Sequence, residues 1–343
     1  MLNIAVIGYG YWGPNLVRNF ASFTDVTIKT VCDTDEDALR RLHSRYPNIE
    51  VTTDSDDIFR DESINAVVIA LPAELHGEYA KQALISGKHV FVEKPLALTV
   101  SEAEDIHQLA TQTGQILMVG HLLLYHPAVE KLKQLIDIGE LGPIYYLYAQ
   151  RLNLGLVRTR ENALWSLAPH DVSIMLYLLD ENPQSVSATG ASYLQESIED
   201  TVFVHMKFSE KKMAHVHVSW LDPQRVRKIT VVGSKKMAVF DDVEPIEKIK
   251  IFDRTVEPPA SYSNYGDALS IRFGDIYIPH VEMNEPLRLE CRHFIDCIVN
   301  GKQPLTNSEQ GLKVVRVLDA AHRSLKDGGI EISTLETGHD YGD

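Results

Sequence analysis

The stretch "LNIAVIGYGYWGPNLVRNF" (residues 2–20) decides the fold. It opens as an apolar, β-branched run of strand length and stops at Gly8, Gly10 and Gly13, which have GxGxxG spacing. Pro14 follows at the mouth of a helix, where its missing N–H removes no needed hydrogen bond. Strand, glycine turn and helix in that order form a phosphate-binding turn. Gly8 allows the tight bend, Gly10 lets an anion approach the backbone, and Gly13 lets helix and strand pack closely, with Tyr11 and Trp12 inside the turn. Asp33 ends the next strand twenty residues beyond Gly13, where a carboxylate accepts hydrogen bonds from the adenosine ribose. Its surroundings, "CDTDED", are acidic and would repel a ribose phosphate, so the cofactor expected is NAD rather than NADP.

Working outward, the chain alternates apolar strands and amphipathic helices as far as "QILMVG" (residues 115–120), which predicts a doubly wound parallel sheet. A helix is expected from about Ala128 to Ile138. From Ile144 the pattern changes to long strands of two-residue period, such as "TVFVHMKF" (201–208), and so to a large, mostly antiparallel open sheet. Its second face, with Phe203, His215 and His217, suits packing against helices or another subunit. Residues 255–275, rich in Pro, Gly, Ser and Tyr, read as a long loop, and 308–326 as an amphipathic helix. The fold class is therefore α/β, with a Rossmann dinucleotide-binding domain over 1–121 and a substrate-binding and oligomerisation domain over 122–343.

Composition narrows the partners. The 343 residues carry a formal net charge of −15, which disfavours nucleic acid and anionic membranes. Three scattered cysteines, Cys32, Cys291 and Cys297, argue against a disulfide framework or a thiolate metal site, and His205, His215 and His217 lack a carboxylate at ligand spacing, so no metal is expected. With no export signal or long apolar span, a cytoplasmic location is expected.

The strand "HVFVEKP" ends in Glu93-Lys94-Pro95, at the sheet edge where doubly wound folds bind ligands. There the Lys94 ammonium either hydrogen-bonds a substrate hydroxyl or makes a solvated ion pair with Glu93. In the second half, Pro169 suggests a helix that begins near Ser166, with Ser166 as its cap and His170 near its positive end as a neutral base.

With these residues the chain resembles the Gfo/Idh/MocA oxidoreductases over essentially its full length: the glycine turn, "LPAELH" (71–76), "EKPLALT" (93–99) and "LWSLAPHDVSIMLYLL" (164–179). The resemblance implies a nicotinamide cofactor held by Gly8, Gly10, Tyr11, Trp12, Gly13, Asp33, Leu71, Pro72, His76, Glu93 and Lys94. It also implies catalysis by Lys94 and His170, and a homodimer or homotetramer built through the large sheets. Ser166 stands where the family has an Asp. "GHLLLYHPAV", "AQRLNLG" and "VSWLDPQRVRKITVVGSKKM" look most like members that oxidise the 3-hydroxyl of a UDP-N-acetylhexosamine. Such a substrate would meet Lys94, Arg151, Asn153, Arg158, Arg160, Ser166 and His170, although Arg158 and Arg160 read equally well as solvated loop charges. Two alternatives stay open at this point: a polyol dehydrogenase of the inositol type, and a non-catalytic NAD-binding regulator.

Overall fold

The computed structural model describes residues 1–257 and 270–334. They form two compact units. Met1–Tyr125 with Asn284–Asp319 makes the first, and His126–Met283 with the chain from Ala320 on makes the second.

The first unit runs β1 (Leu2–Ile7), α1 (Gly13–Phe20), β2 (Val26–Cys32), α2 (Glu36–Arg45), β3 (Glu50–Thr52), α3 (Asp56–Arg60), β4 (Ala66–Ile69), α4 (His76–Ile85), β5 (His89–Glu93), α5 (Val100–Thr113) and β6 (Leu117–Gly120). Six parallel strands lie in the order β3-β2-β1-β4-β5-β6. Strand order reverses between β1 and β4, and ligands of such sheets bind at the carboxyl ends beside that reversal. The apolar runs follow from burial on both faces, with Ile4, Val6, Val67, Val68, Phe91 and Val92 all fully enclosed.

The second unit begins with α6 (Pro127–Asp137), β7 (Ile144–Leu152) and α7 (Ala163–Leu179). Strands β8 (Ser185–Ala191), β9 (Thr201–Lys207), β10 (Met213–Ser219), β11 (Val226–Gly233), β12 (Met237–Asp241), β13 (Ile249–Glu257), β14 (Ser270–Tyr277) and β15 (Ile332–Ser333) complete it. Its nine-stranded sheet has the order β14-β13-β12-β11-β7-β10-β9-β8-β15 and is antiparallel except where β10 runs parallel to β7. In β9, Val202, Val204 and Met206 are buried while Phe203, His205 and Lys207 are exposed, the alternation expected of a sheet with one covered face. Helix α7 lies on the buried face, over β7, β9 and β10.

Four sequence expectations shift. The break expected at 121/122 falls after Tyr125, and α8 (Pro286–Asn300) returns to the first unit, where Phe294 meets Phe20 and Phe91 in edge-on contacts at 6.3 and 5.7 Å. Helix α9 (Ser308–Lys326) matches its expected span, and α6 sits one residue early, capped by the His126 ring, which accepts from the Ala128 N–H. Of the loop expected over 255–275, residues 255–257 and 270–275 are strand and 258–269 lie outside the described residues. Finally, α7 starts at Ala163 rather than near Ser166. Among the described residues no helix is long and apolar enough to cross a membrane.

Candidate functional site

In the first unit the predicted cofactor residues collect at the carboxyl ends of β1, β2, β4 and β5. Gly8 has a φ of +99°, and a Cβ there would lie 2.4 Å from the Ala70 carbonyl oxygen, so only glycine fits where β1 passes β4. A Cβ on Gly13 would lie 2.2 Å from the Gly8 carbonyl oxygen, whereas one on Gly10 would meet nothing within 4 Å. The turn is thus closed on itself at Gly8 and Gly13 and bare at Gly10. Helix α1 begins directly behind it with no side-chain cap at Trp12 and no acidic residue in its first turn. Tyr11 is exposed.

The Asp33 carboxylate is anchored on both oxygens, accepting the Tyr9 N–H at 2.5 Å and the Asp35 N–H at 2.8 Å. With about four acceptor positions on a carboxylate, one per oxygen remains for a ribose hydroxyl. A bare glycine backbone, an uncapped helix N-terminus and a fixed carboxylate fit a dinucleotide. The nearby Arg40 and Arg41 side chains lie against carboxylates of the same segment, Glu36 and Asp37 for Arg40 and Asp35 for Arg41.

His76 is buried between two loops, its ring nitrogens 2.6 Å from the Pro95 carbonyl and 2.9 Å from that of Leu71. It ties the Leu71-Pro72 loop to the Glu93-Lys94-Pro95 turn. Burial pushes its pKa down, against the two carbonyls, and the Lys94 charge adds to the fall. The Lys94-Pro95 peptide is cis. The Trp12 side chain of the glycine turn lies near Glu93 and favours its charged form slightly. Burial raises the Glu93 carboxyl above the usual carboxylate range, against the Lys94 charge and the Lys94 N–H.

Beneath this edge lie two groups that the sequence reading passed over. Glu290, on α8, is fully buried with neither carboxyl oxygen hydrogen-bonded, and burial plus the Glu93 charge push it well up. His121, at the end of β6, is buried with neither ring nitrogen hydrogen-bonded and is pushed down to about 3 by burial and by Lys94. A signal for Glu290 was present in "PLRLECRHF", where a carboxylate stands on the apolar stripe of Leu287, Cys291 and Phe294.

In the second unit, Asn162 caps α7 by accepting the Trp165 N–H, so Ser166 lies inside the helix. Pro169 is inside as well, and His170 stands two turns from the start, beyond the reach of the N-terminal dipole. The helix dipole therefore does not act to keep His170 neutral, contrary to the sequence expectation. Arg151 is buried on β7 and pairs side-on with Asp171, Nε to Oδ2 at 2.7 Å and Nη2 to Oδ1 at 3.0 Å. Arg158 and Arg160 are exposed, Arg158 lying 3.5 Å from Glu161, and the backbone N–H of half-buried Asn153 donates to Ser219. The sequence thus groups Arg151 with two surface cations from which the structure separates it by burial. Among the described residues no group of three His, Cys, Asp or Glu side chains could hold a metal ion.

The doubly wound sheet with this glycine turn is a dinucleotide-binding fold. Residues 2–121 match the model of the oxidoreductase family with an NAD-binding Rossmann fold, and residues 129–239 match the GFO/IDH/MocA C-terminal domain. The two models belong to one family and together span more than half of the chain, which therefore belongs to the Gfo/Idh/MocA oxidoreductases. The scyllo-inositol 2-dehydrogenase (NAD(+)) of Bacillus subtilis is 27% identical, with 96% of this chain and 94% of that protein aligned. The fold is also similar to that of levoglucosan dehydrogenase in complex with NADH and levoglucosan (TM-score 0.83, 21% identity, covering 98% of this chain and 100% of that one). It is likewise similar to that of UDP-N-acetylglucosamine 3-dehydrogenase from Acidithiobacillus ferrooxidans (TM-score 0.80, 20% identity, covering 95% and 98%). The protein is an NAD-dependent dehydrogenase acting on the CH–OH group of a sugar or polyol.

Proposed function

We propose that the protein oxidises the 3-hydroxyl of a UDP-linked N-acetylhexosamine, with Lys94 and His170 as its catalytic residues. The observation that carries the lysine's role is the join at the sheet edge. The His76 ring lies between the Pro95 and Leu71 carbonyls, so Lys94 directly precedes a residue held beside the Leu71-Pro72 loop at the carboxyl end of β4. From there its ammonium donates a hydrogen bond to the substrate oxygen and stabilises the charge that develops on it. His170 accepts the hydroxyl proton. Bound NAD supplies the acceptor for the hydride that leaves the same carbon. Lys94 belongs to the first compact unit and His170 to the second. The exposed Arg158 and Arg160 give an acidic protein two cations for a diphosphate, in the segment that leads into α7.

A second reading, oxidation of a free polyol, is favoured by the inositol dehydrogenase relative. The test is to incubate the protein with NAD and, separately, UDP-N-acetylglucosamine, myo-inositol and scyllo-inositol, following NADH by its near-ultraviolet absorbance. NADH from the UDP-sugar at a rate at least about tenfold above the polyols supports the nucleotide-sugar reading, a ratio corresponding to about 1.4 kcal/mol. Turnover of an inositol with the UDP-sugar inert transfers the assignment to the polyol.

A further inference from the structure

Arg151 reads in the sequence as a cation for the substrate, yet the structure commits it elsewhere. It lies near the end of β7, the fifth of nine strands, and only 6% of its surface is exposed. Two of its nitrogens fork onto both oxygens of Asp171, itself 1% exposed. Asp171 is the residue directly after His170, and Pro169 the one directly before it.

We propose that Arg151 and Asp171 are positioning residues for His170, their buried fork fixing the turn of α7 that carries the imidazole against β7. The proposal rests on the reading of His170 as proton acceptor. Three observations carry it. Pro169 has no N–H to give the Trp165 carbonyl, so α7 lacks a rung of its ladder in the turn that presents His170. The backbone alone holds that turn less firmly, and the fork supplies an anchor one residue further on.

The second observation concerns what else holds α7. The helix already buries Leu164, Ala168, Val172 and Met175. That apolar packing stabilises the fold but is non-directional, whereas a side-on guanidinium–carboxylate fork sets distance and plane together. Since an apolar pair of similar volume often serves stability as well as a buried ion pair does, stability alone does not account for the charges.

The third is the neighbouring cation. Arg227 sits directly across from Arg151 on β11, a like-charge placement that a sheet disfavours. Arg227 has its own carboxylate, Asp242, at 3.4 Å, while burial and then the Arg151 charge push its pKa down. Asp171 is therefore Arg151's own partner rather than a shared counter-charge.

Arg151→Lys keeps the charge and loses the fork. It would be made alone and in a His170→Ala background, with Asp171→Asn as a second variant should the first fail to fold. For each variant kcat, KM, NAD affinity by fluorescence titration and the unfolding midpoint would be measured, using UDP-N-acetylglucosamine, or scyllo-inositol if that is the one turned over. The expected result is a fall in kcat of about 10- to 100-fold, the scale for a misplaced reacting group, with KM and NAD affinity within about twofold of the parent. In the His170→Ala background the same substitution should lower the residual rate no further. An equal fall in both backgrounds would assign the pair to general folding and overturn the proposal. A raised KM at constant kcat would overturn it in favour of substrate contact. Near-native turnover by His170→Ala alone would remove the underlying reading of His170 and this proposal with it.

Discussion

A single methyl group at position 13 has no room: it would meet the Gly8 carbonyl oxygen at 2.2 Å, and that oxygen belongs to a turn already fixed against Ala70. Gly13→Ala should therefore weaken NAD binding by at least about tenfold, read by fluorescence titration, since the turn must open to admit the Cβ. Asp33→Ala removes a carboxylate that would face the phosphate of NADP, and the ratio of NADP to NAD dissociation constants should fall toward one in the same titration. Glu290 makes a prediction about pH. Its folded pKa lies above its unfolded one, so between the two values the folded state holds the extra proton and stability declines as pH rises. Glu290→Gln keeps the shape and removes the titration. The loss of unfolding free energy from pH 5 to pH 8 should be smaller in this variant than in the parent. An identical pH slope in parent and variant would show that Glu290 holds no such proton.

At the scale of elements, the start of α7 separates two caps. Asn162→Ala removes the acceptor of the Trp165 N–H and should lower stability by about 1 kcal/mol in denaturant unfolding, while Ser166→Ala, inside the helix, should cost less than about 0.5 kcal/mol. Equal losses would place the cap back at Ser166. The sequence misdirects here because Pro169 satisfies the usual rule for a first turn, while in the structure it is enclosed within a longer helix. Elsewhere the elements were legible for a physical reason. Strands β1, β4 and β5, buried on both faces, leave apolar runs that glycines and prolines terminate, and β9, covered on one face, leaves strict alternation. Strand β3, three residues at the sheet edge, has too little burial to leave a pattern. The destination of α8 was not legible either, since an apolar stripe states that a helix packs but not on which core. The site divides in the same way. Glycines, Asp33 and Lys94 announce themselves by spacing and strand position, whereas the Arg151–Asp171 fork becomes visible only once β7 and α7 are laid together.

At the scale of the whole molecule, the uncovered face of the large sheet bears a band of rings. Tyr148 stacks on His215 at 5.1 Å and Phe203 on His217 at 4.1 Å, while Tyr146 and Phe203 are exposed. Such a face fits the homodimer or homotetramer that we propose for this protein. Phe203→Glu should shift the species seen by light scattering toward the monomer, and an unchanged mass would direct the interface elsewhere. The histidines add a pH dependence. Burial first, then His205 and His217, lower the pKa of His215, so its contribution to stability is complete above its ordinary value of 6.5 and is lost as pH falls below it. The central proposal is that Lys94 and His170 are the catalytic residues of the NAD-dependent oxidation. The direct measurement is single-turnover NADH formation by the parent, Lys94→Ala and His170→Ala, each first shown by titration to bind NAD. The account predicts NAD affinity within about threefold of the parent in both variants and rates lower by about 10²-fold or more. Near-parental rates in both variants would contradict it.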